Sequence, residues 1–266
     1  MAVQKATSRL LKVRRIDEIK TLLEQETTVS IDRLCEVFNV SKNTIRRDIN
    51  VLEQEGFIKK VYGGITLKQQ TTDTPEPFHL RETHHAAQKQ KIARIAASYV
   101  RDGDVIFIDS GTTTVQIMPY LMSKNRLTIV TTSLTVINAA AALGATNHMT
   151  VMATGGTFYA PSMSFIGPSV LRCLENYNIS KMFFAATGIT LSNGATNASP
   201  FENEVKRALM EKTGEKYLLV DYSKLGVSAL MSYSPLETFD CVIMDKEPPQ
   251  EYVDYFAAHD VTLRTD

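Results

Sequence analysis

The sequence has few cysteines and no long apolar run, and both shortages narrow the class of protein. No stretch of eighteen apolar residues is present, so no membrane span is predicted, and the basic stretch at residues 1–15 lacks the apolar core of a secretory signal. Cys35, Cys173 and Cys241 are far apart in apolar surroundings, which favours reduced core thiols over a disulfide or a metal site. We therefore expect a cytoplasmic protein with no membrane partner.

The sequence also has no net charge, because 29 Lys and Arg balance 29 Asp and Glu. This balance argues against a uniformly basic coat for nucleic acid. Residues 1–67, however, hold 12 basic against 9 acidic side chains, a net +3, which leaves −3 on the remainder of the 266 residues. The length favours two domains over one. A mildly basic first part joined to a mildly acidic body fits a small DNA-binding module attached to another domain.

Three short amphipathic helices are predicted near the N-terminus. The third begins at Ser41, a good N-cap residue, and its apolar stripe consists of Ile45, Ile49 and Leu52. It follows the second helix after a very short turn. Two helices joined in this way, the second of them basic, are typical of a helix-turn-helix, here residues 29–48.

A basic hairpin is predicted directly after the third helix. Gly63-Gly64 lies between two stretches of β-forming residues, which predicts a tight turn and a winged helix-turn-helix domain over residues 10–67. A basic helix face alone is usually only a solvated surface, but the short turn, the capped helix and the basic wing together favour DNA binding. The residues expected to contact bases and phosphates are Ser41, Lys42, Asn43, Thr44, Arg46, Arg47, Asn50, Lys59, Lys60 and Tyr62.

A second domain is predicted after a polar segment with two prolines, residues 68–85, which is predicted to be a linker. Its His84-His85 pair has no ligand partner at metal-binding spacing, so no metal is expected. From residue 86 to 266, short apolar runs alternate with helical stretches, which predicts an α/β domain with a mostly parallel sheet covered on both faces. The predicted strands are 105–108, 127–131, 150–153, 182–186, 217–220, 241–244 and 261–263, and the predicted helices are about 86–100, 113–122, 133–143, 166–177 and 201–213.

Polar residues and glycines follow five of these strands, where a parallel sheet binds its ligands. The Ser110–Thr114 loop joins a strand to a helix, so its backbone N–H groups, its hydroxyls and the helix dipole suit a phosphate, to which Lys224 adds a charge. Glycine and threonine are also ordinary turn residues, but five such loops at one edge favour a ligand cleft. The residues expected to bind an effector are Asp109, Ser110, Gly111, Thr112, Thr113, Thr132, Gly155, Gly156, Gly188, Glu204, Asp221 and Lys224. Neither a Walker loop nor a dinucleotide fingerprint is present, and no cofactor is expected.

The chain resembles the DeoR family of bacterial transcriptional repressors over about residues 10–265. The matching motifs are TIRRDINVLEQEG (44–56) with its Gly-Gly wing, GDVIFIDSGTTT (103–114), GG (155–156), IGP (166–168), EVKRALME (204–211) and LLVDYSKLG (218–226). The resemblance implies a sensor domain similar in fold to ribose-5-phosphate isomerase and a phosphorylated sugar or polyol as effector. Three positions of the presumed pocket depart from the family pattern: Thr132 replaces asparagine, Ala185 replaces glycine and Thr187 replaces aspartate.

The sequence as a whole predicts a ligand-controlled repressor of a carbohydrate or polyol catabolic operon. One winged helix with so few basic residues should bind DNA weakly, so a homo-oligomer, a dimer or tetramer, on repeated half-sites is expected. The alternative is a sugar-phosphate isomerase-like enzyme with Asp109, Glu204, Asp221 and Lys224 as acid–base groups. That alternative leaves the helix-turn-helix without a role, so no catalytic residue is predicted. A third possibility is a winged helix that binds protein.

Overall fold

The chain divides into two compact units, Met1–Gln69 and Gln70–Asp266. The first has one hydrophobic core and the second has two. The computed structural model describes residues 15–16, 18–23, 26, 28–54, 58–61, 63–67, 76–144 and 149–266.

The first unit has the predicted winged helix-turn-helix fold. Residues 15–16 and 18–23 are helical, within the helix predicted over 15–25, of which residues 17 and 24–25 lie outside the described residues. The following elements are β1 (Thr28–Ser30), α1 (Ile31–Phe38), α2 (Lys42–Gln54), β2 (Ile58–Val61) and β3 (Gly64–Leu67). The three strands form an antiparallel sheet in the order β1–β3–β2.

The apolar stripe of the predicted third helix holds α2 in this unit. Ile45, Ile49 and Leu52 are all buried in its core. The predicted cap forms as well, because Thr44 N donates to Ser41 Oγ at 3.3 Å. Strand β1 was not predicted, since its pairing with β3 is a tertiary contact that the local sequence does not encode.

The second unit is an α/β domain. Its helices are α3 (Phe78–Thr83), α4 (Ala86–Ser98), α5 (Leu134–Ala142), α6 (Pro168–Glu175), α7 (Pro200–Met210) and α8 (Gln250–Ala258), with 3-10 helices at Thr114–Leu121, Ala160–Ser162, Tyr222–Lys224 and Leu236–Thr238. Its strands are β4 (Val105–Ile108), β5 (Leu127–Thr131), β6 (Met149–Ala153), β7 (Thr157–Tyr159), β8 (Ser164–Ile166), β9 (Lys181–Ala185), β10 (Gly188–Thr190), β11 (Gly194–Asn197), β12 (Glu215–Leu219), β13 (Met231–Ser234), β14 (Cys241–Ile243) and β15 (Thr262–Arg264).

Seven of these strands form one fully parallel sheet in the order β15–β14–β12–β9–β4–β5–β6. Alternate residues of β4 enter different cores: Ile106 and Ile108 pack on one face, and Phe107 packs on the other. The sheet is therefore covered on both faces, which confirms the predicted layer architecture. Strands β10, β11 and β13 form a smaller antiparallel sheet, and β7 pairs with β8.

The predicted linker is wrong in its second half. Residues 78–83 form α3, and Phe78 is buried in the core beside α4. One aromatic side chain thus anchors a segment whose composition is otherwise polar. The helix predicted over 113–122 is a 3-10 helix with Pro119 inside it, since proline cannot donate the backbone hydrogen bond of an α-helix. None of the helices in the described ranges combines the length and apolarity that crossing a bilayer requires.

Candidate functional site

The candidate DNA surface lies on α2 and the wing. Six of the seven predicted residues of the third helix are exposed, and Thr44 is half-buried. Their inward neighbours form the core, so the helix presents one polar face to solvent. Lys60 is also exposed, whereas Tyr62 and the side chain of Lys59 lie outside the described residues.

Carboxylates neutralise two lysines of this surface. Lys42 Nζ is 2.5 Å from Asp32 Oδ1, and the hydrogen bond with this carboxylate raises the pKa of Lys42. Lys60 Nζ is 2.6 Å from Glu53 Oε2 and 2.8 Å from Asn50 Oδ1. Both lysines therefore have partners within their own unit when DNA is absent.

A buried ion pair anchors α2 from behind. Asp48 is buried on the inner face of the helix, and its Oδ2 accepts a hydrogen bond from Arg15 Nε at 2.7 Å. The sequence contained a signal for this contact, because Asp48 lies next to the apolar position Ile49. The guanidinium satisfies a carboxylate that would otherwise be costly to bury.

The candidate effector site lies at the point in the large sheet where the chain changes the side on which it adds strands. From β4 the chain adds β5 and β6 on one side, and then β9, β12, β14 and β15 on the other. The C-terminal ends of β4 and β9 therefore border the crevice in which open α/β sheets bind ligands. Asp109 directly follows β4, Thr132 follows β5, and Asp221 comes two residues after β12.

Asp109 is the centre of a buried polar network at this boundary. Its Oδ2 accepts a hydrogen bond from Ala185 N at 3.0 Å and pairs with Lys206 Nζ at 2.8 Å. The Ala185 carbonyl in turn accepts bonds from Lys206 Nζ at 2.5 Å and Tyr233 Oη at 3.1 Å. Burial raises the pKa of Tyr233, which keeps its hydroxyl a donor. Sequence reasoning missed Lys206 and Tyr233, although helical spacing places Lys206 on the inner face of α7.

The predicted phosphate loop packs closely against α7. Ser110 Oγ donates to Glu202 Oε1 at 2.9 Å, and Thr114 Oγ1 donates to the Gly111 carbonyl at 2.9 Å. Ser110, Thr112 and Thr113 are all buried. Glu202, which was not predicted, thus contacts this loop, whereas Glu204, predicted to bind the effector, is exposed on α7. Glu204 is two residues further along the helix, a rotation of about half a turn.

Lys89 is a second buried lysine, and the charge of Asp221 attracts it. Lys89, from the buried face of α4, donates to the Arg81 carbonyl of α3. Burial lowers the pKa of Lys89 to about 8, against the attraction of Asp221, and Lys224 adds a repulsive charge. Burial also lowers the pKa of Arg81, while Glu202 opposes that shift. Sequence reasoning missed Lys89 and Arg81, and a lysine within the apolar stripe of α4 was the available signal.

Two buried side-chain oxygens among the described residues of the second unit have no hydrogen-bond partner. These two atoms are Asn203 Oδ1 and Asp221 Oδ2. Every other buried side-chain nitrogen or oxygen in the described part of the chain has a partner. The other Asp221 oxygen accepts a bond from Ser223 N at 3.0 Å. Both unpaired atoms are acceptors, so a ligand that donates hydrogen bonds, such as one with hydroxyl groups, would satisfy them.

Packing alone accounts for two of the glycines that were predicted to bind an effector. A Cβ at Gly188 would lie 2.3 Å from the Val227 carbonyl oxygen, and one at Gly156, where φ is +110°, would lie 2.7 Å from that of Ile166. Close packing therefore requires glycine at both positions. Gly155, with φ +65°, faces open space.

The second unit has a groove apart from the strand-end loops, and the described residues form no metal-binding cluster. They contain no group of three or more His, Cys, Asp or Glu suited to a metal ion. A groove of about 420 Å³ lies between the Thr114–Leu121 helix and α5, and its lining includes Val115, Pro119 and Ala139. Its lining contains none of the predicted effector residues, so the groove is separate from the strand-end site.

Models of two protein domains match the chain. Residues 15–71 match the DeoR-like helix-turn-helix domain, and residues 84–246 match the DeoR C terminal sensor domain. The first match contains α2 and the wing, and the second contains Asp109, Lys206 and Lys224.

Full-length relatives carry the names of regulators. The chain is 42% identical to the HTH-type transcriptional regulator IolR of Bacillus subtilis (strain 168), over 95% of this chain and 99% of the relative. It is 33% identical to the lactose phosphotransferase system repressor of Staphylococcus aureus (strain N315), over 90% and 94%. It is 29% identical to the glycerol-3-phosphate regulon repressor of Escherichia coli (strain K12), over 95% and 98%.

Similarity to solved structures is more distant. Ribose 5-phosphate isomerase A from Methanocaldococcus jannaschii aligns with 52% of this chain and 53% of its own, at 18% identity and a TM-score of 0.37. The eIF2B beta subunit from Chaetomium thermophilum aligns with 65% of this chain and 54% of its own, at 14% identity and a TM-score of 0.45.

Proposed function

Because this chain belongs to the DeoR family of transcriptional regulators, we propose that it represses a carbohydrate or polyol catabolic operon and responds to a phosphorylated sugar or polyol. The observation that carries the proposal is the strand-end site of the second unit. There, the buried Lys89 is attracted to the charge of Asp221, whose Oδ2 is a buried acceptor without a hydrogen-bond partner. Cations suit a phosphate, and free acceptors suit hydroxyl groups.

The proposed ligand spans two parts of the site. Its phosphate interacts with the Ser110–Thr114 loop and with the positive charge of Lys89 and Lys224. Its hydroxyls donate to Asn203 and Asp221. The names of two relatives, which mention lactose and glycerol-3-phosphate, support a carbohydrate or polyol.

On the DNA side, α2 enters the major groove and the wing contacts the phosphate backbone. We assign base and phosphate contacts to Asn43, Thr44, Arg46 and Arg47, and we place Lys60, paired with Glu53, beside the phosphate backbone. The exposure of Asn43, Arg46 and Arg47 on α2 supports the assignment, as does that of Lys60 on the wing. The effector controls repression only by binding the DNA-competent and DNA-incompetent states with different affinity.

A thermal-shift screen of the full chain tests the effector site. The probes are ribose 5-phosphate, glucose 6-phosphate and glycerol 3-phosphate, with inorganic phosphate as the reference. We expect at least one sugar or polyol phosphate to raise the melting temperature more than phosphate does, and Ser110→Ala, Lys224→Ala and Lys89→Ala to remove the shift. Lys91→Ala is the matched control, because Lys91 lies on the exposed side of the same helix. A ligand shift that survives all three substitutions would place the site elsewhere.

DNA binding is tested with a library of random-sequence duplexes, from which the most tightly bound fragment is selected. We expect Arg46→Ala and Arg47→Ala each to weaken the most tightly bound fragment by about tenfold or more, equivalent to about 1–3 kcal/mol per contact. Arg33→Ala is the control, because it removes an exposed arginine outside the proposed DNA surface. Arg33 lies on α1, where its Nη2 is 3.7 Å from Glu26 Oε1. Wild-type affinity in both α2 variants at moderate salt would show that the recognition helix is misassigned.

A further inference from the structure

Glu53 lies near the C-terminal end of the proposed recognition helix α2 and binds a lysine of the wing. Its Oε2 is 2.6 Å from Lys60 Nζ, which is also 2.8 Å from Asn50 Oδ1. The side chains of Lys60 and Glu53 are 46% and 44% exposed, so the pair lies at the surface. Because Asn50 and Lys60 belong to the proposed DNA surface, Glu53 brings a negative charge into direct contact with it.

The stability of the wing does not depend on this pair. Ile58 of β2 and Ile65 of β3 are buried in the core of the first unit, and the two strands pair over four residues each. An ion pair as exposed as Lys60–Glu53 adds little stability, since water and salt screen it. A carboxylate at this position therefore needs a reason other than holding the fold together.

The carboxylate acts against phosphate binding. A phosphate that approaches Lys60 must displace Glu53 from its ammonium group and is repelled by the same carboxylate. Each phosphate that a protein neutralises adds affinity for DNA of any sequence, through the release of counterions. Glu53 therefore removes about one such contact, while the base-edge contacts proposed for Asn43, Thr44 and Arg46 remain.

We propose that Glu53 is a specificity residue: by neutralising Lys60 it limits sequence-independent DNA binding and widens the gap between operator and other DNA. The inference rests on the proposed DNA surface. It assigns a function to an acidic residue that does not itself bind DNA. The relevant quantity is the ratio of specific to non-specific affinity, because a genome offers a large excess of competing sites.

The test uses the full chain and a duplex of about 30 base pairs of mixed sequence as the probe. Glu53→Gln keeps the side-chain length and an oxygen acceptor for Lys60 but removes the charge. We expect the plot of log affinity against log salt, between about 50 and 200 mM, to steepen by about 0.9, and the affinity at 0.1 M salt to rise about eightfold. The double variant Glu53→Gln/Lys60→Ala should return to the wild-type slope.

Glu26→Gln is the matched control. It removes one exposed carboxylate from the same unit, but that carboxylate lies near Arg33 on α1, outside the proposed DNA surface. We expect it to change the affinity for the mixed-sequence duplex less than twofold. An equal gain from Glu26→Gln, or an unchanged slope in folded Glu53→Gln, would overturn the role of Glu53. If the wild-type chain showed no salt-dependent binding to any duplex, the DNA-binding function itself would be refuted.

Discussion

At the scale of single residues, Gly111 and Ala185 restrict each other across the boundary between β4 and β9. A Cβ added at Gly111 would lie 2.3 Å from the Cβ of Ala185, and neither group can rotate away. We expect Gly111→Ala to lower the free energy of unfolding of the second unit by about 1–3 kcal/mol, as overpacking does. Adding Ala185→Gly to the same chain should restore most of the loss, because it opens the space.

Urea unfolding of the four chains in this double-mutant cycle measures the coupling between the two positions. Gly103→Ala is a poor control, because φ is +81° there and backbone strain would add to the effect. Gln90→Ala, at an exposed position within α4, avoids this strain. Purely additive losses at Gly111 and Ala185 would contradict the predicted steric conflict.

We expect Lys89 to make effector binding depend on pH. Burial lowers its pKa to about 8, with Asp221 and Glu82 opposing this shift and Lys224 and Arg81 reinforcing it. An anionic effector favours the protonated amine, so we expect affinity to be highest below pH 8 and to fall above it, by at most about tenfold per pH unit.

The effect of Lys89 on the folding stability of the unliganded chain has the opposite dependence on pH. Between about pH 8 and 10.5 the unfolded chain binds more protons, so the contribution of Lys89 to stability rises with pH.

Isothermal titration of the best ligand from the effector screen, from pH 7 to 9.5, measures this dependence. Lys89→Met should lower the affinity at pH 7 and flatten the profile, whereas Lys91→Met should leave both unchanged. A wild-type profile that stays flat across pH 8 would refute the involvement of Lys89.

At the scale of elements, α3 lies in sequence between the first unit and α4, the helix that carries Lys89. Phe78 anchors this short helix in a core of the second unit, and Lys89 binds its Arg81 carbonyl. We expect Phe78→Ala to leave effector binding within a few-fold of wild type but to weaken the effect of the effector on DNA affinity, because α3 is then loosely held.

The measurement is DNA affinity with and without saturating effector, for Phe78→Ala and for Leu80→Ala, an exposed position on the same helix. Since burial of Phe78 also stabilises the second unit, unfolding is followed in parallel, with an expected loss of about 3–5 kcal/mol. Full effector control of DNA binding in folded Phe78→Ala would exclude α3 as a coupling element.

The large parallel sheet was predictable because its strands are short apolar runs between turns. Strand β4 matches its predicted bounds, and β9 and β12 differ by one or two residues. Strand β11 was missed, since its sequence Gly-Ala-Thr-Asn is fully buried yet carries no apolar alternation. Helix α8 was missed too, although Tyr252 and Phe256 at helical spacing after Pro249 were a usable signal.

The strand-end loops were predictable, but the groups that complete the site were not. Asp109 and Ser110 follow β4 in sequence, so topology alone brings them to the edge of the sheet. Lys206 and Lys89 come from buried helix faces that are mostly apolar, and a charge there looks like a break in the pattern. Only packing shows that the Lys206 ammonium reaches the Asp109 carboxylate.

At the scale of the whole molecule, we expect one copy of the winged helix to bind DNA weakly, because it carries little net positive charge. Two of its lysines are neutralised by Asp32 and Glu53. We expect the chain to form a homo-oligomer, because linking two modules makes the second binding event intramolecular. Sedimentation equilibrium should give a dimer or tetramer, and a monomer at micromolar concentration that still binds a single half-site tightly would contradict this expectation.

The order of strands in the large sheet also divides the second unit into two continuous halves. Strands β4 to β6 come from residues 105–153, and β9 to β15 come from residues 181–264. The chain crosses from one half to the other through an exposed connection around Asn178. A break there leaves every parallel pairing within each half intact and cuts no strand. The second unit is thus suited to fragment complementation, in which two separately expressed pieces regain ligand binding only after they reassemble along β4 and β9.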